Sequence, residues 1–112
     1  MSRDAVLKIL MRIGIHQKDA EVYLFLAIKG PNKAEDIINS LQMPSFQLQN
    51  SLKKLQEKEL VAAAPIKFVA LPLETVLDRL AKARLQEAQE IEEKKRIILD
   101  HWHSLAYRTN RS

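Results

Sequence analysis

The chain has 112 residues, 46% of them apolar, and its 18 Lys and Arg residues against 14 Asp and Glu residues give a net charge of +4. These values predict one small folded domain with an extension, and they exclude a disordered tail or a multi-domain enzyme. The absence of Cys excludes disulfides, thiol catalysis and thiolate metal sites.

Two Gly and four Pro residues divide the sequence into long elements with short connections, so helix should dominate. Apolar residues at helical spacing predict a first helix over residues 4–13, which Gly14 ends in a left-handed conformation. A second helix is predicted over residues 17–29, because Gly30 and Pro31 follow a cationic last turn.

A short third helix is predicted over residues 34–41. Asn32 stands three residues before Glu35, so the two can form a reciprocal capping box at its start. Met43 and Pro44 close the turn after this helix.

The fourth helix is predicted over residues 45–58. Its apolar stripe consists of Leu48, Leu52 and Leu55 at positions i, i+4 and i+7. Amide and cationic residues lie outside that stripe: Gln47, Gln49, Asn50, Lys53 and Lys54. One face therefore packs, while the other is offered to solvent or a partner.

After Glu59 the pattern changes to two short extended runs, residues 60–64 and 67–71, which predict a β-hairpin ended by Pro72. Compact helices followed by a hairpin, with the third and fourth helices joined by a tight turn, are the element order of a winged helix-turn-helix. We therefore predict a mainly α fold with a winged domain over residues 1–72.

Residues 73–107 contain no Gly or Pro and favour one continuous helix of about 35 residues, roughly 50 Å long. Its apolar seam follows a near 3-4 repeat interrupted by Arg84 and Lys95, and comprises Leu73, Leu77, Leu80, Ala81, Ala88, Ile91, Ile98, Trp102 and Leu105. A second copy of the chain is the simplest partner for a stripe of this length, so residues 73–112 are predicted to form a parallel or antiparallel homodimer. The alternative is a helix that folds back as two pieces near residues 90–96.

In a winged helix-turn-helix, the last compact helix enters the DNA major groove and the hairpin tip approaches the backbone. Gln and Asn can pair with adenine, while Lys contacts phosphate or guanine. The candidate DNA-binding residues are Lys33, Ser45, Gln47, Gln49, Asn50, Lys53, Lys54 and Lys67. The alternative is that the amide residues form an ordinary solvated face. Phe46 can contact a thymine methyl group or pack against the neighbouring helix, and we favour packing.

Residues typical of one regulator family are distributed through residues 10–72 in a single register: Ile13, Gly14 and Ile15, then residues 19–23, Gly30 and Pro31, residues 34–37, Met43 and Pro44, Leu48, Leu52, Leu55, Lys58, Leu60 and Val61, and finally Phe68, Ala70, Leu71 and Pro72. With these residues the chain resembles the N-terminal winged-helix domain of the TrmB family of transcriptional regulators. The resemblance implies a winged helix that binds DNA. Larger members add a sugar-binding domain, which we do not expect after the long helix.

The chain departs from that family at three places. At the start of the recognition helix the family usually has basic and small polar residues, with an aromatic residue one turn later, whereas this chain has Ser45, Phe46, Gln47 and Gln49. This difference lowers the expected affinity for phosphate. Glu59 stands where the family usually has Gly, so it must either adopt a positive φ or end the helix differently. The hairpin connection is short and apolar with Lys67 as its only cation, whereas a DNA-contacting wing normally carries more positive charge.

The winged domain holds most of the net positive charge, but the excess is small. Residues 1–72 hold ten Lys and Arg residues against seven Asp and Glu residues, a balance of +3, and residues 73–112 hold eight against seven, a balance of +1. DNA affinity would therefore depend largely on dimerisation, which doubles the phosphate contacts.

Other functions find little support in the sequence. His101 and His103 point to different sides of a helix, so no metal site is expected. The sequence has no phosphate-binding Gly loop, nucleophile elbow or acid/base pair, so we expect neither an enzyme nor a cofactor. The apolar runs are far shorter than the roughly 20 residues of a membrane span, and the first apolar stretch contains charged residues. Both features favour a soluble cytoplasmic protein without membrane contact.

The predicted function is sequence-specific binding of double-stranded DNA as a homodimeric transcriptional regulator. The alternative is a winged-helix protein interaction module.

Overall fold

The computed structural model describes residues 2–111, with side chains described for residues 2–106. Over this range the chain forms five helices and a two-stranded sheet: α1 (Arg3–Ile13), α2 (Gln17–Lys29), α3 (Ala34–Leu41), α4 (Ser45–Glu57), β1 (Val61–Ala63), β2 (Phe68–Ala70) and α5 (Leu73–Arg111). The predicted mainly α fold with a hairpin and a long C-terminal helix is confirmed. The chain divides after Asp78 into two units.

Helix α2 lies at the centre of the first unit, because it packs against α1, α3, α4 and β2. The core is formed by aliphatic side chains and one Tyr that are at most 2% exposed, among them Leu10, Tyr23, Leu26, Ile37, Leu48, Leu55, Leu60 and Val76. Buried residues from each of α1, α2, α3 and α4 thus contribute to one core.

The ends of the first two helices follow from local chemistry. The Ser2 hydroxyl oxygen accepts a hydrogen bond from the Ala5 N–H at 3.2 Å and caps α1. Gly14 ends that helix at φ 111°, and Gly30 follows α2 at φ 87°. Residues with a Cβ rarely adopt such angles, so these two glycines fix where the helices stop.

The predicted capping box between Asn32 and Glu35 is wrong. Lys33 is the residue that precedes α3, and no side chain caps the helix there. The Asn32 N–H donates to the Phe68 carbonyl at 3.2 Å, and the Phe68 N–H donates back to the Asn32 carbonyl at 2.9 Å. The Asn32 side-chain amide donates to the Gly30 carbonyl at 2.9 Å. Since the main chain of Asn32 pairs with β2, this residue is not free to start the helix.

Strands β1 and β2 pair antiparallel, with Val61 opposite Ala70 and Ala63 opposite Phe68, so the strands are shorter than the predicted runs. The Leu71 N–H donates to the Leu60 carbonyl at 2.9 Å and closes the open end of the hairpin.

A buried Tyr attaches the hairpin to α2. The Tyr23 hydroxyl donates to the Leu71 carbonyl at 2.7 Å. Burial, with a smaller contribution from the nearby Glu74 carboxylate, raises the pKa of Tyr23 to about 12. The phenol therefore stays protonated and keeps donating this hydrogen bond at neutral pH.

The turn between α4 and β1 depends on a strained residue. Glu59 adopts φ 59°, the left-handed conformation that was one of its two predicted options. Its N–H donates to the Gln56 carbonyl at 3.0 Å, so the chain reverses immediately after α4. This turn brings Leu60 into the core.

Helix α5 is uninterrupted from Leu73 to Arg111. The alternative of two pieces folded back near residues 90–96 is therefore wrong. In the second unit, every residue from 81 to 105 is exposed. No helix within residues 2–111 is both long enough and apolar enough to cross a membrane.

Candidate nucleic-acid interface

Helices α3 and α4 form the helix-turn-helix. Gln42 ends α3 in a left-handed conformation at φ 51°, ψ 45°, and Met43 is only 5% exposed, which anchors the turn in the core. Pro44 then precedes α4 with an extended backbone. These three residues set the angle between the two helices and leave one side of α4 facing outward.

The inward side of α4 matches the predicted stripe and adds one polar residue. Its buried residues are Leu48, Ser51, Leu52 and Leu55. The Ser51 hydroxyl has no hydrogen-bond partner in the described part of the chain. Because these four residues cover one continuous side of the helix, the opposite side is free for a partner.

We call that opposite side the outer face of α4. At about 100° per residue, it is centred on Phe46, Asn50 and Lys53 at positions i, i+4 and i+7, with Gln49 and Lys54 on its two flanks. All five residues are exposed. The structure thus brings four of the predicted DNA-binding residues together with one aromatic ring.

The other four candidate residues lie outside this face. Ser45 is exposed at the first position of α4, and Gln47 is half-buried at the side of the helix. Lys33 and Lys67 are exposed on other elements, immediately beside the Asn32–Phe68 bridge. Each of these lysines is one residue from the bridge, so the bridge brings their main chains close together.

The N-terminus of α4 has no negative charge. The other helices that the structure describes each have an acidic residue in the first turn: Asp4 in α1, Asp19 in α2, Glu35 and Asp36 in α3, and Glu74 in α5. Helix α4 has none there, and no side chain caps it. Its first N–H groups and the positive end of its dipole are therefore open to an anion. The side chains of α4, considered alone in the sequence, did not predict this feature.

The packing interpretation of Phe46 is wrong. The ring is 69% exposed. Its place on the helix could have revealed this, because residue 46 lies on the side opposite to Leu48, Leu52 and Leu55. The apolar character of the residue was a weaker guide than its angular position.

The hairpin tip is apolar, as the sequence suggested. A shallow cavity of about 420 Å³ is lined there by Pro31, Ala64, Pro65, Ile66, Lys67 and Val69. Ile66 is 70% exposed. The wing therefore offers one cation and an apolar patch.

The predicted dimerisation residues fall into two groups. Leu77 is half-buried and Leu80 is only 9% exposed. The remaining residues are exposed on α5 and continue the 3-4 spacing: Ala88, Ile91, Ile98, Trp102 and Leu105. Their large side chains are 57 to 64% exposed, so this part of the seam offers a substantial apolar surface.

No metal centre competes with this interface in the described part of the chain. Within it, no three His, Asp or Glu side chains come close enough together to hold a metal ion. His101 and His103 lie on the exposed part of α5.

These elements define a winged helix-turn-helix with a long C-terminal helix. The chain belongs to the TrmB family, because the family profile described as sugar-specific transcriptional regulator TrmB matches residues 10–74. The predicted family is confirmed. Comparison with curated protein sequences finds no significant match.

The fold is also similar to a solved structure. The match is TrmBL2, an archaeal chromatin protein whose structure is reported to show a novel mode of DNA binding, with a TM-score of 0.80 and 18% identity. It covers 94% of this chain and 42% of TrmBL2, so this chain spans less than half the length of that protein. At this identity the likeness establishes the fold.

Proposed function

We propose that this protein is a transcriptional regulator that binds double-stranded DNA in a sequence-specific manner as a homodimer. Membership of a regulator family supports the proposal. The observation that carries it is the outer face of α4, where exposed amide and cationic side chains follow a helix N-terminus that has no acidic residue in its first turn. A regulator of this kind acts on the chromosome, in keeping with the cytoplasmic location expected from the sequence.

The first turn of α4 approaches the DNA. Recognition helices place their N-terminal residues against base edges in the major groove. The open N–H groups and the helix dipole favour phosphate oxygens at this end, and an acidic residue there would repel them. Ser45 adds a hydroxyl that can bind either phosphate or a base.

The uncharged and charged residues of α4 bind different parts of the DNA. Gln49 and Asn50 read base edges, because an amide can bind adenine through two hydrogen bonds. Lys53 and Lys54, further along the helix, bind phosphates. Half-buried Gln47 lies closer to the side of the groove and contributes less reading surface.

The lysine pair beside the Asn32–Phe68 bridge, Lys33 and Lys67, is a second phosphate contact. Each lysine can bind a phosphate oxygen of the DNA backbone through a charge-assisted hydrogen bond.

Dimerisation supplies the affinity that the modest net charge lacks. The exposed part of the α5 seam pairs with the seam of a second copy, which buries its large apolar residues: Ile91, Ile98, Trp102 and Leu105. Two copies of α4 then bind an inverted repeat with half-sites about 34 Å apart, or a multiple of that distance.

A second candidate function is supported by the hairpin tip. The apolar surface formed by Pro65, Ile66 and Val69 suits contact with another protein better than contact with phosphates. In this case the protein would serve as a winged-helix interaction module without specific DNA binding.

Salt dependence separates the two candidates. We expect the double variant Lys53→Ala/Lys54→Ala to lose four phosphate contacts per dimer, which lowers the slope of log K against log salt by about 3 to 4. Between about 50 and 200 mM salt, wild-type affinity should then fall about a hundredfold more than that of the variant. Lys8→Ala, an exposed lysine on α1, is the matched control and should leave the slope unchanged.

Selection from random duplexes tests specificity in the same preparation. We expect an enriched inverted repeat whose affinity falls when Asn50 is replaced by Ala, while affinity for random DNA changes little. If no sequence is enriched, and mixed duplex DNA is not bound even at about 50 mM salt, the regulator proposal is wrong and the interaction module becomes the better account.

A further inference from the structure

Phe46 is the most unusual residue of the outer face of α4. It is 69% exposed, and it is the one exposed Phe, Tyr or Trp side chain within residues 2–78. It occupies the second position of α4, immediately after the turn. A large ring at this point gains little from packing within the monomer.

The surroundings of the ring are polar. One turn along the same face lies Asn50, followed by Lys53, and Gln49 flanks them; all three are exposed. Protein docking sites are usually contiguous apolar patches, and this ring stands alone on a polar face. A partner that complements this face has a groove whose edges form hydrogen bonds and which contains an isolated apolar group.

The DNA major groove has this pattern. Each thymine presents one methyl group beside its hydrogen-bonding carbonyl, and apolar side chains such as Phe contact that methyl. The first residues of a recognition helix reach the base edges. Phe46 stands at this position, whereas the lysines lie further along α4.

We infer that Phe46 reads thymine through its C5-methyl group, an assignment that rests on the proposed function. Four residues, a rise of about 6 Å, separate Phe46 from Asn50, and base pairs are spaced about 3.4 Å apart. The thymine read by Phe46 therefore lies one or two base pairs from the adenine read by Asn50. Each half-site contains both bases.

Deoxyuridine tests the inference because it removes only the methyl group of thymine. The probes are an alternating dA·dT duplex and its dA·dU counterpart, with affinities measured by fluorescence anisotropy at one fixed salt concentration. For wild type, loss of one methyl contact should weaken binding about fourfold per half-site and about fifteenfold for a dimer.

Two variants locate the effect at the ring. Phe46→Ala should lose most of the preference for dA·dT, because the truncated side chain no longer carries the ring that reaches the thymine methyl group. Phe46→Leu should keep part of the preference for dA·dT. Since residue 46 is exposed, both variants should melt within a few degrees of wild type, and circular dichroism checks this.

The outcomes separate the inference from the function it rests on. If wild type binds both duplexes equally, or if Phe46→Ala keeps the full preference for dA·dT, the inference is overturned while DNA binding stands. If wild type binds neither these duplexes nor mixed duplex DNA at about 50 mM salt, the proposed function fails and the inference fails with it.

Discussion

Replacing Ile98 by Asp puts a carboxylate in the middle of the exposed seam of α5. Ile98 is 64% exposed in the single chain, and full burial of an Ile side chain contributes about 1.5 to 3 kcal/mol. Covering the exposed two thirds is therefore worth about 1 to 2 kcal/mol per copy and about 2 to 4 kcal/mol in a symmetric dimer. Its loss raises the dimer dissociation constant about 30-fold to 1000-fold, before the added cost of burying a charge.

The chain contains a matched control one residue away. Ile97 is 58% exposed, and its angular position, about 100° from Ile98, puts it outside the seam. Ile97→Asp makes the same chemical change and should leave the dissociation constant within a few fold of wild type. Sedimentation equilibrium over a range of concentrations measures all three proteins. Equal weakening by the two substitutions, or a wild-type chain that is monomeric at micromolar concentration, would refute the seam as a dimer interface.

Two further predictions concern the first unit. Leu52→Ala should lower the free energy of unfolding by about 2 to 5 kcal/mol, because Leu52 is 4% exposed. Gln49→Ala, on the outer face, should change it by less than about 0.5 kcal/mol. Comparable denaturant midpoints for the two variants would show that the faces of α4 are wrongly assigned. Tyr23→Phe should cost about 1 kcal/mol through loss of the hydrogen bond to the Leu71 carbonyl. Since the folded-state pKa of Tyr23 is about 12 against 10.0 for an ordinary Tyr, its contribution is complete below pH 10 and is lost as the pH rises toward 12. Alkaline unfolding curves should therefore be less steep for Tyr23→Phe, and curves of equal slope would contradict this account.

The fold could be predicted from the sequence wherever local chemistry decides the structure. Gly14 and the pair Gly30 and Pro31 stop their helices because of their own backbone properties, so both ends were predicted correctly. The start of α3 could not be predicted this way. Asn32 has the side chain of a helix cap, yet its main chain pairs with Phe68, which is 36 residues away in the sequence. A pattern among neighbouring residues in the sequence does not predict a contact over this distance.

The candidate site was predicted in part for the same reason. Apolar spacing correctly separated the inner stripe of α4 from its outer face, although Phe46 was assigned by residue type and not by its place on the helix. The nearness of Lys33 and Lys67 results from the Asn32–Phe68 bridge, so the sequence identified both lysines without indicating that they are neighbours.

The Asn32–Phe68 bridge also makes the wing tip open to evolutionary change. Both bonds of the bridge join main-chain groups, which every residue except proline can supply, and the Leu60–Leu71 bond closes the opposite end of the hairpin in the same way. The attachment is therefore largely indifferent to the side chains carried by residues 64–67. A lineage can therefore exchange an apolar tip for a basic one while the helices that form the core keep their sequence.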